Sequence, residues 1–240
     1  MQKNLKGQPH ERSNNHFLQV KKIIITIDGY ASTGKSTQAK KLAEYFNYVY
    51  INTGAMYRAI TYYAVKEQLE LPALVAVLPQ LKISFSEGTN QQRTILNGED
   101  ISDQLHIMSV AERVSTIAAH PEVRHFMMDE QQRMGAKKGI VMDGRDIGTV
   151  IFPEAECKFF LTASIEIRAQ RRTEELHQLG NKSTYDEVLE NLKSRDQIDS
   201  NRSVAPLVKA DNAILIDVSE LSLQDVYEKM KNHVNSVLQK

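Results

Sequence analysis

Eight residues of this sequence, Gly29-Tyr30-Ala31-Ser32-Thr33-Gly34-Lys35-Ser36, fit the pattern G-x-x-x-x-G-K-[ST]. The β-branched run 22–28 (KIIITID) precedes them and predicts a buried strand. From 35 to 46, apolar residues recur at helical spacing. A glycine-rich turn between a strand and a helix directs several backbone N–H groups toward one point at the helix N-terminus. The pattern therefore predicts a phosphate-binding nest, called the phosphate loop below (residues 29–36).

Two side chains of the phosphate loop complete this prediction. We expect Lys35 to reach the β- and γ-phosphates of a nucleotide, and the Ser36 hydroxyl to ligate a bridging Mg²⁺. The alternative is a glycine-rich turn with a chance lysine, which the flanking strand and helix disfavour. The predicted ATP ligands in this part of the chain are Gly29, Tyr30, Ala31, Ser32, Thr33, Gly34, Lys35, Ser36 and Thr37.

Short apolar runs alternate with helical patterns along the chain, which predicts an α/β three-layer fold around a five-stranded parallel sheet. The predicted strands are 22–28, 49–52, 139–143, 157–162 and 213–217. The predicted helices are 35–46, 56–67, 110–119, 122–134, 166–176, 185–200 and 223–238. Two further runs, 82–86 and 93–96, alternate apolar and polar residues, and the second ends at Asn97-Gly98. They predict a small antiparallel sheet with a tight turn.

The domain organisation follows from this order. We expect an α/β core over residues 22–240, with an insert over 53–120 that holds the small sheet. A polar segment after the fourth core strand predicts a short lid over 168–184. Residues 1–21 are polar and are interpreted as a weakly ordered leader or a cloning remnant.

Composition excludes several classes of function. Thirty basic and thirty acidic residues cancel, so there is no global positive field for a nucleic acid. The single cysteine, Cys157, excludes an intramolecular disulfide and a thiolate metal cluster, and is typical of a reducing cytoplasm. No apolar run is long enough for a membrane span. We expect a cytoplasmic monomer with neither a nucleic-acid nor a membrane partner.

Arginines of the fifth long helix predict the lid chemistry. Arg168, Arg171 and Arg172 fall at i, i+3 and i+4, which predicts three guanidinium groups on one side, closing over a triphosphate. The alternative is a solvated face paired with the neighbouring glutamates 166, 174 and 175.

Two further segments carry candidate ligands. Arg195, Asp199 and Arg202 share one helix face if the helix extends that far. They either pair with one another or offer arginines to an acceptor phosphate and a carboxylate to ribose hydroxyls. Asp143 ends a core strand at the carboxyl edge of the sheet, where ligands of such folds bind. It is either a carboxylate in the second shell around Mg²⁺ or the start of a turn.

Five strings, in order and spacing, resemble the bacterial cytidylate kinases: ITIDG, GKST, TGAMYR, DGRDIGTVIFPEA and RDQIDSNRSVAPL. The resemblance extends from about residue 22 to the end. It implies a kinase core over residues 22–240, in which the insert 53–120 binds the acceptor monophosphate. It implies cytosine contacts from Ser115, Arg124 and Asp146. It implies acceptor-phosphate contacts from Arg58, Arg145 and Arg202, ribose contacts from Arg195 and Asp199, and ATP-phosphate contacts from Arg168, Arg171 and Arg172.

The resemblance implies transfer of the γ-phosphoryl group of ATP to CMP and dCMP. The implied catalytic residues are Lys35, Arg145, Arg168, Arg172 and Arg202. Cytosine differs from uracil by an amine donor and an unprotonated ring acceptor. An acidic acceptor with a basic donor, Asp146 with Arg124, would discriminate between the two bases.

Three positions depart from the family pattern. Asn52 stands where the family usually has aspartate, Tyr30 replaces a proline of the phosphate loop, and Ile198 replaces an arginine. No histidine dyad is evident from the sequence. This fits a phosphoryl transfer to an acceptor phosphate, which is already ionised and needs no general base. We expect His106, His120 and His125 to be surface or packing residues.

Two other functions remain open from sequence. One is a phosphate-loop kinase of another small acceptor, such as a different monophosphate or shikimate. The other is a non-catalytic, nucleotide-sensing switch. Three arginines assigned to one acceptor phosphate argue against the switch.

Overall fold

The computed structural model describes residues 21–86, 92–178 and 180–240, so the predicted leader lies almost wholly outside the described residues. In chain order the strands are β1 (Ile24–Gly29), β2 (Val49–Asn52), β3 (Ile83–Phe85), β4 (Thr94–Leu96), β5 (Glu99–Asp100), β6 (Ile140–Asp143), β7 (Cys157–Thr162) and β8 (Ile214–Asp217). The α-helices are α1 (Lys35–Phe46), α2 (Thr53–Lys66), α3 (Leu71–Val77), α4 (Met108–Ala119), α5 (Pro121–Gly135), α6 (Ile165–Gln178), α7 (Tyr185–Asn201) and α8 (Leu223–Leu238). Short 3₁₀ turns span Leu78–Gln80 and Ser102–His106, and a π-helical turn spans Ile147–Ile151.

The central sheet has the order β2-β6-β1-β7-β8, and each pair of neighbours is parallel. This confirms the five predicted strands. The register pairs Ile27 with Asp143, so the carboxyl ends of β1 and β6 meet at one edge of the sheet. At that edge the backbone of β1 comes so close to β7 that a Cβ on Gly29 would lie 2.0 Å from the Leu161 carbonyl oxygen. Only glycine can start the phosphate loop there.

Both faces of the sheet are covered by helices, which confirms the three-layer α/β fold. On one face, α1 and α8 bury Leu42 and Met230 against alternate residues of β1 such as Ile25. On the opposite face, α2 and α5 pack residues such as Met56 and Met127 against Ile24, Ile51 and Met142. The predicted insert 53–120 thus shares an apolar core with the sheet, and its boundaries stay a prediction.

A second sheet, with antiparallel order β3-β4-β5, confirms the small sheet predicted within the insert. Asn97 and Gly98 connect β4 to β5 with φ angles of 52° and 88°. Two positive φ angles in succession are the geometry that Asn-Gly favours in a hairpin. The two-residue strand β5 was not predicted, because it is too short to show alternation.

Helix α2 begins at Thr53, three residues before the predicted start. Asn52 Oδ1 accepts a hydrogen bond of 3.0 Å from the Ala55 N–H and so caps the helix. Asparagine is as good a cap as aspartate, which explains how the helix tolerates this departure from the family pattern. The short helix α3 was not predicted.

None of the helices within the described ranges combines the length and apolar character needed to cross a lipid bilayer.

Candidate active site

A cleft of about 510 Å³ opens at the carboxyl edge of the central sheet. It brings together most of the site residues predicted from sequence. These are Ala31, Ser32, Gly34, Lys35, Ser36, Thr37, Arg58, Ser115, Arg124, Asp143, Arg145, Asp146, Arg172, Arg195, Asp199 and Arg202. Five predicted residues do not line it: Gly29, Tyr30, Thr33, Arg168 and Arg171.

The phosphate loop closes over its own lysine. Lys35 Nζ donates a hydrogen bond of 2.6 Å to the Tyr30 carbonyl oxygen, and Thr33 Oγ1 donates one of 2.9 Å to the same oxygen. Burial lowers the pKa of Lys35 well below its usual range, and the nearby Arg145 charge lowers it further. Gly34 precedes α1 with φ 83° and offers no side-chain cap, so the first N–H groups of α1 keep their capacity to bind an anion.

Asp143 lies at the centre of a set of oxygen atoms beside the phosphate loop. Its Oδ2 accepts a hydrogen bond of 2.8 Å from Ser36 Oγ, and its Oδ1 accepts one of 2.8 Å from the Tyr50 hydroxyl. Its carbonyl oxygen accepts one of 2.7 Å from Thr53 Oγ1. A serine hydroxyl beside a carboxylate is the type of oxygen donor set that suits Mg²⁺. Tyr50 and Thr53 were missed from sequence, because neither pattern nor spacing indicates a partner about 90 residues away.

The far end of the cleft holds a buried ion pair. Arg124 Nη2 lies 2.5 Å from Asp146 Oδ2, and Arg202 Nη2 lies 3.1 Å from Asp146 Oδ1. The Arg124 guanidinium also lies over the ring of Tyr57, 5.6 Å from its centroid. Burial raises the pKa of Tyr57 to about 12, with the charge of Arg124 acting in the opposite direction. Ser115 also lines the cleft.

Between these two ends, arginines outnumber their acidic partners. Asp199 pairs with Arg145 at 2.9 Å and with Arg202 at 3.4 Å. Arg58 and Arg195 have no carboxylate within 4.0 Å among the residues that the structure describes. Burial lowers the pKa of Arg58 to about 10, and the charge of Arg195 lowers it further. Asp199 pairs with Arg202 at the end of the same helix, as one of the two alternatives expects. The contacts of this helix face with a phosphate and a ribose stay a prediction.

The prediction that the three lid arginines share one side is wrong in this structure. Arg172 lines the cleft and pairs with Glu175 at 2.7 Å, as the solvated-face alternative expects. Arg171 instead donates a hydrogen bond of 2.8 Å to the Val218 carbonyl oxygen, away from the cleft. Arg168 is buried between α6 and α7, where its Nη1 lies 2.7 Å from Asp196 Oδ2. The packing of α6 on α7 separates positions that helical spacing alone places together.

Tyr30 explains part of the Arg168 environment. The guanidinium carbon of Arg168 lies 5.0 Å from the centroid of the Tyr30 ring, and Phe160 meets the same ring edge-on at 6.0 Å. Proline could not stack on a cation in this way. The tyrosine that departs from the family pattern therefore attaches the phosphate loop to the start of α6.

Several cleft residues were not predicted as ligands: Lys40, Asn52, Thr53, Gly54, Tyr57, His106, Val114, Ala118, Gly144 and Glu175. Of these, Tyr57 lies within the TGAMYR string, which was a usable signal. His106 was expected to be a surface or packing residue; it is exposed, and it lies on the surface of the cleft. Its pKa is lowered by burial and by the charge of Arg58. Nothing in its sequence neighbourhood indicates that position.

Comparison with known proteins gives one family. A family model described as cytidylate kinase matches residues 25–236. A cytidylate kinase of Phocaeicola vulgatus is 49% identical over 214 residues, covering 86% of this chain and 93% of that protein. A cytidylate kinase of Flavobacterium johnsoniae is 47% identical over 227 residues, covering 91% and 99%.

Among solved structures, an uncharacterized protein from Eubacterium ventriosum covers 90% of this chain and 99% of its own, with a TM-score of 0.52 and 16% sequence identity. At that identity the likeness concerns the fold alone.

Proposed function

This chain belongs to the cytidylate kinase family, and we infer from that premise that it transfers the γ-phosphoryl group of ATP to CMP, giving ADP and CDP. We propose dCMP as a second acceptor. One geometric observation supports the assignment most strongly. The phosphate loop and the Arg124–Asp146 pair line the same cleft, and the arginines between them exceed their acidic partners.

A continuous series of charges joins the two ends of the cleft. Arg145 acts on Lys35 at the donor end and pairs with Asp199. Asp199 pairs in turn with Arg202, which pairs with Asp146 at the base-binding end. A nucleoside monophosphate placed along this series would present its phosphate to the arginines and its base to Asp146. We therefore propose that donor and acceptor phosphates meet near Arg145.

At the donor end, we propose that Lys35 and the free N–H groups of α1 bind the β- and γ-phosphates. Among the arginines of the proposed lid, Arg172 lines the cleft, and we propose that it joins them by exchanging Glu175 for phosphate oxygens. Mg²⁺ bound with ATP would neutralise charge on the β- and γ-phosphates, and Ser36 and Asp143 are the residues that would hold it. The 2.8 Å contact between these two side chains fits such a site.

At the acceptor end, we propose that Arg58, Arg145 and Arg202 bind the monophosphate, and that Arg195 and Asp199 contact the ribose. Arg58 has the strongest structural support, because it is partly buried, has no acidic partner within the described residues and lies among other cations. A dianionic phosphate would compensate this charge.

For the base, we propose that the Asp146 carboxylate accepts a hydrogen bond from the exocyclic amine of cytosine. Arg124 and Ser115 would donate to the ring and carbonyl acceptors of the base. Uracil presents a carbonyl oxygen where cytosine has the amine, so its binding would set two acceptors against each other. A buried site whose polar groups are left unpaired discriminates strongly.

Transfer itself needs no general base. The second pKa of a phosphate monoester is about 6, so the acceptor oxygen is already ionised at neutral pH. The chain's contribution is to align the two phosphates, compensate their charge and exclude water when the proposed lid (168–184) closes. This also accounts for a cleft rich in arginine.

The test is a coupled assay of ADP formation with ATP, Mg²⁺ and one acceptor at a time: CMP, dCMP, UMP, AMP or shikimate. We expect the highest kcat/KM with CMP. Turnover with another acceptor but not with CMP would instead support a different small-molecule kinase. ATP binding without any acceptor-dependent ADP release would support the switch.

A further inference from the structure

Asp28 is a buried carboxyl group that the reaction described above does not use. It lies on β1 immediately before Gly29, the first residue of the phosphate loop, and is only 4% exposed. Side chains alternate along a strand, so Asp28 shares its face of the sheet with Ile24 and Thr26. The π-helical turn Ile147–Ile151, which directly follows Asp146, covers this face.

The carboxyl group binds the start of that turn. Asp28 Oδ1 accepts a hydrogen bond of 2.9 Å from the Ile147 N–H, and Oδ2 accepts one of 2.7 Å from the Gly148 N–H. On the other side of Asp146, the Gly144 N–H donates a hydrogen bond of 3.0 Å to the Ile27 carbonyl oxygen. The end of β1 therefore holds the backbone on both sides of Asp146.

Gly148 permits this close contact. A Cβ at this position would lie 2.8 Å from Thr26 Oγ1 and 3.3 Å from Asp28 Oδ2. A larger residue would force the turn away from β1. Position 148 therefore needs glycine for a steric reason, and the Asp28 carboxyl group is one of the groups that a side chain there would contact.

From this geometry we infer that Asp28 is a positioning residue for cytosine recognition. By binding Ile147 and Gly148, it fixes the backbone that carries Asp146 and so orients the Asp146 carboxylate toward Arg124 and Arg202. Because Asp28 also adjoins Gly29, a single side chain ties the phosphate loop to the base-reading segment. This inference rests on the proposed role of Asp146 in the transfer to CMP.

The electrostatics of Asp28 agree with a positional role. Burial raises its pKa to about 7, and the two backbone hydrogen bonds act against that rise. The Asp146 charge raises the pKa of Asp28 and the Lys35 charge lowers it, so Asp28 interacts with both ends of the cleft. Burying a carboxyl group costs free energy unless it is hydrogen-bonded, so Asp28 is expected to have a specific partner. Here the partner is the backbone after Asp146.

The test compares Asp28→Asn with wild type in the ADP-release assay, using CMP and UMP as acceptors. Asparagine replaces one acceptor oxygen by an amide donor, which faces a backbone N–H and displaces the turn. We expect KM for CMP to rise and the CMP-to-UMP ratio of kcat/KM to fall on the order of 10-fold to 100-fold, the size of effect that a misplacement of about 1 Å can cause. KM for ATP should change much less.

Two further variants make the result specific. Gly148→Ala should shift the ratio in the same direction, since its Cβ displaces the same turn. Thr26→Val is the matched control: it removes a buried hydroxyl that has no hydrogen-bond partner among the described residues, on the same strand face, and should leave the ratio unchanged.

The outcomes separate the two claims. If wild type shows no turnover with CMP, the proposed function fails. If wild type turns over CMP but Asp28→Asn and Gly148→Ala keep its CMP-to-UMP ratio, or lower both rates equally, Asp28 does not position Asp146. Loss of the folded state in both variants, measured by circular dichroism, would show a purely structural role and also overturn the inference.

Discussion

Arg124 Nη2 lies 2.5 Å from Asp146 Oδ2, with the two side chains only 1% and 6% exposed. A buried pair of this kind becomes costly when one partner is removed, because the remaining charge is left without compensation. The same pair carries the proposed discrimination between cytosine and uracil. Stability and specificity are therefore linked at this end of the cleft.

Asp146→Asn should lose most of the preference for CMP over UMP and lower the free energy of unfolding by about 3 kcal/mol. The kcat/KM ratio and urea denaturation measure the two effects. Asp211→Asn, at an exposed position, is the matched control and should change neither. An unchanged CMP-to-UMP ratio in Asp146→Asn would contradict the proposed reading of the base.

Lys35→Ala should keep the fold and lose most turnover, by a factor on the order of 10² or more. Lys35 is buried with a depressed pKa, so its removal should cost little stability. Steady-state ADP release and the thermal unfolding midpoint report the two properties. The control is Lys66→Ala, which removes an exposed lysine paired with Glu99. Near-normal rates in Lys35→Ala would refute its assigned role.

Tyr50→Phe should raise the Mg²⁺ concentration that gives half-maximal rate, because Asp143 loses the hydroxyl that orients its Oδ1. Stability should fall by about 1 kcal/mol, the usual value of one hydrogen bond. Tyr48→Phe removes a comparable hydroxyl, which donates to the Lys21 carbonyl oxygen outside the cleft. Only the Tyr50 variant should alter the Mg²⁺ dependence; the same shift in both would count against a role for Tyr50.

Arg168→Ala and Arg172→Ala should separate structure from catalysis within α6. Arg172 pairs with the largely exposed Glu175, so its loss should slow turnover and cost less than about 1 kcal/mol of stability. Loss of the buried Arg168 leaves Asp196 without its partner and should cost about 3 kcal/mol. Kinetics and urea denaturation on both variants test the contrast. Equal stability losses would show that burial does not distinguish the two.

Asp28 should give the ligand-free protein a pH-dependent stability. Its pKa is raised from 3.8 to about 7 in the folded state, so between these values the folded state binds more protons than the unfolded state. This contribution to the free energy of unfolding is complete below pH 3.8 and is lost as the pH rises toward 7. Denaturation of wild type and Asp28→Asn at several pH values should show that the free energy of unfolding of wild type falls relative to that of the variant as the pH rises toward 7. A difference between the two free energies that does not change with pH would disprove the raised pKa.

Much of the fold could be predicted from local sequence. The β-branched run before Gly29 and the spacing of Ala39, Leu42 and Ala43 define β1 and α1, because each pattern reports burial of a neighbouring surface. Asn97-Gly98 identified a turn because few residues adopt two positive φ angles in succession. The phosphate loop itself needs only backbone N–H groups and glycines, all contributed by adjacent residues.

The directions of side chains depended on tertiary contacts. Helical spacing placed Arg168 beside Arg172, but the packing of α6 on α7 buries the first and leaves the second in the cleft. Ser36 and Asp143 lie 107 residues apart in sequence, and Asp28 and Gly148 lie 120 apart. The sequence by itself determined the sheet, the phosphate loop and the family. Only the tertiary structure decided which charges meet, because parallel strands bring distant segments to one edge of the sheet.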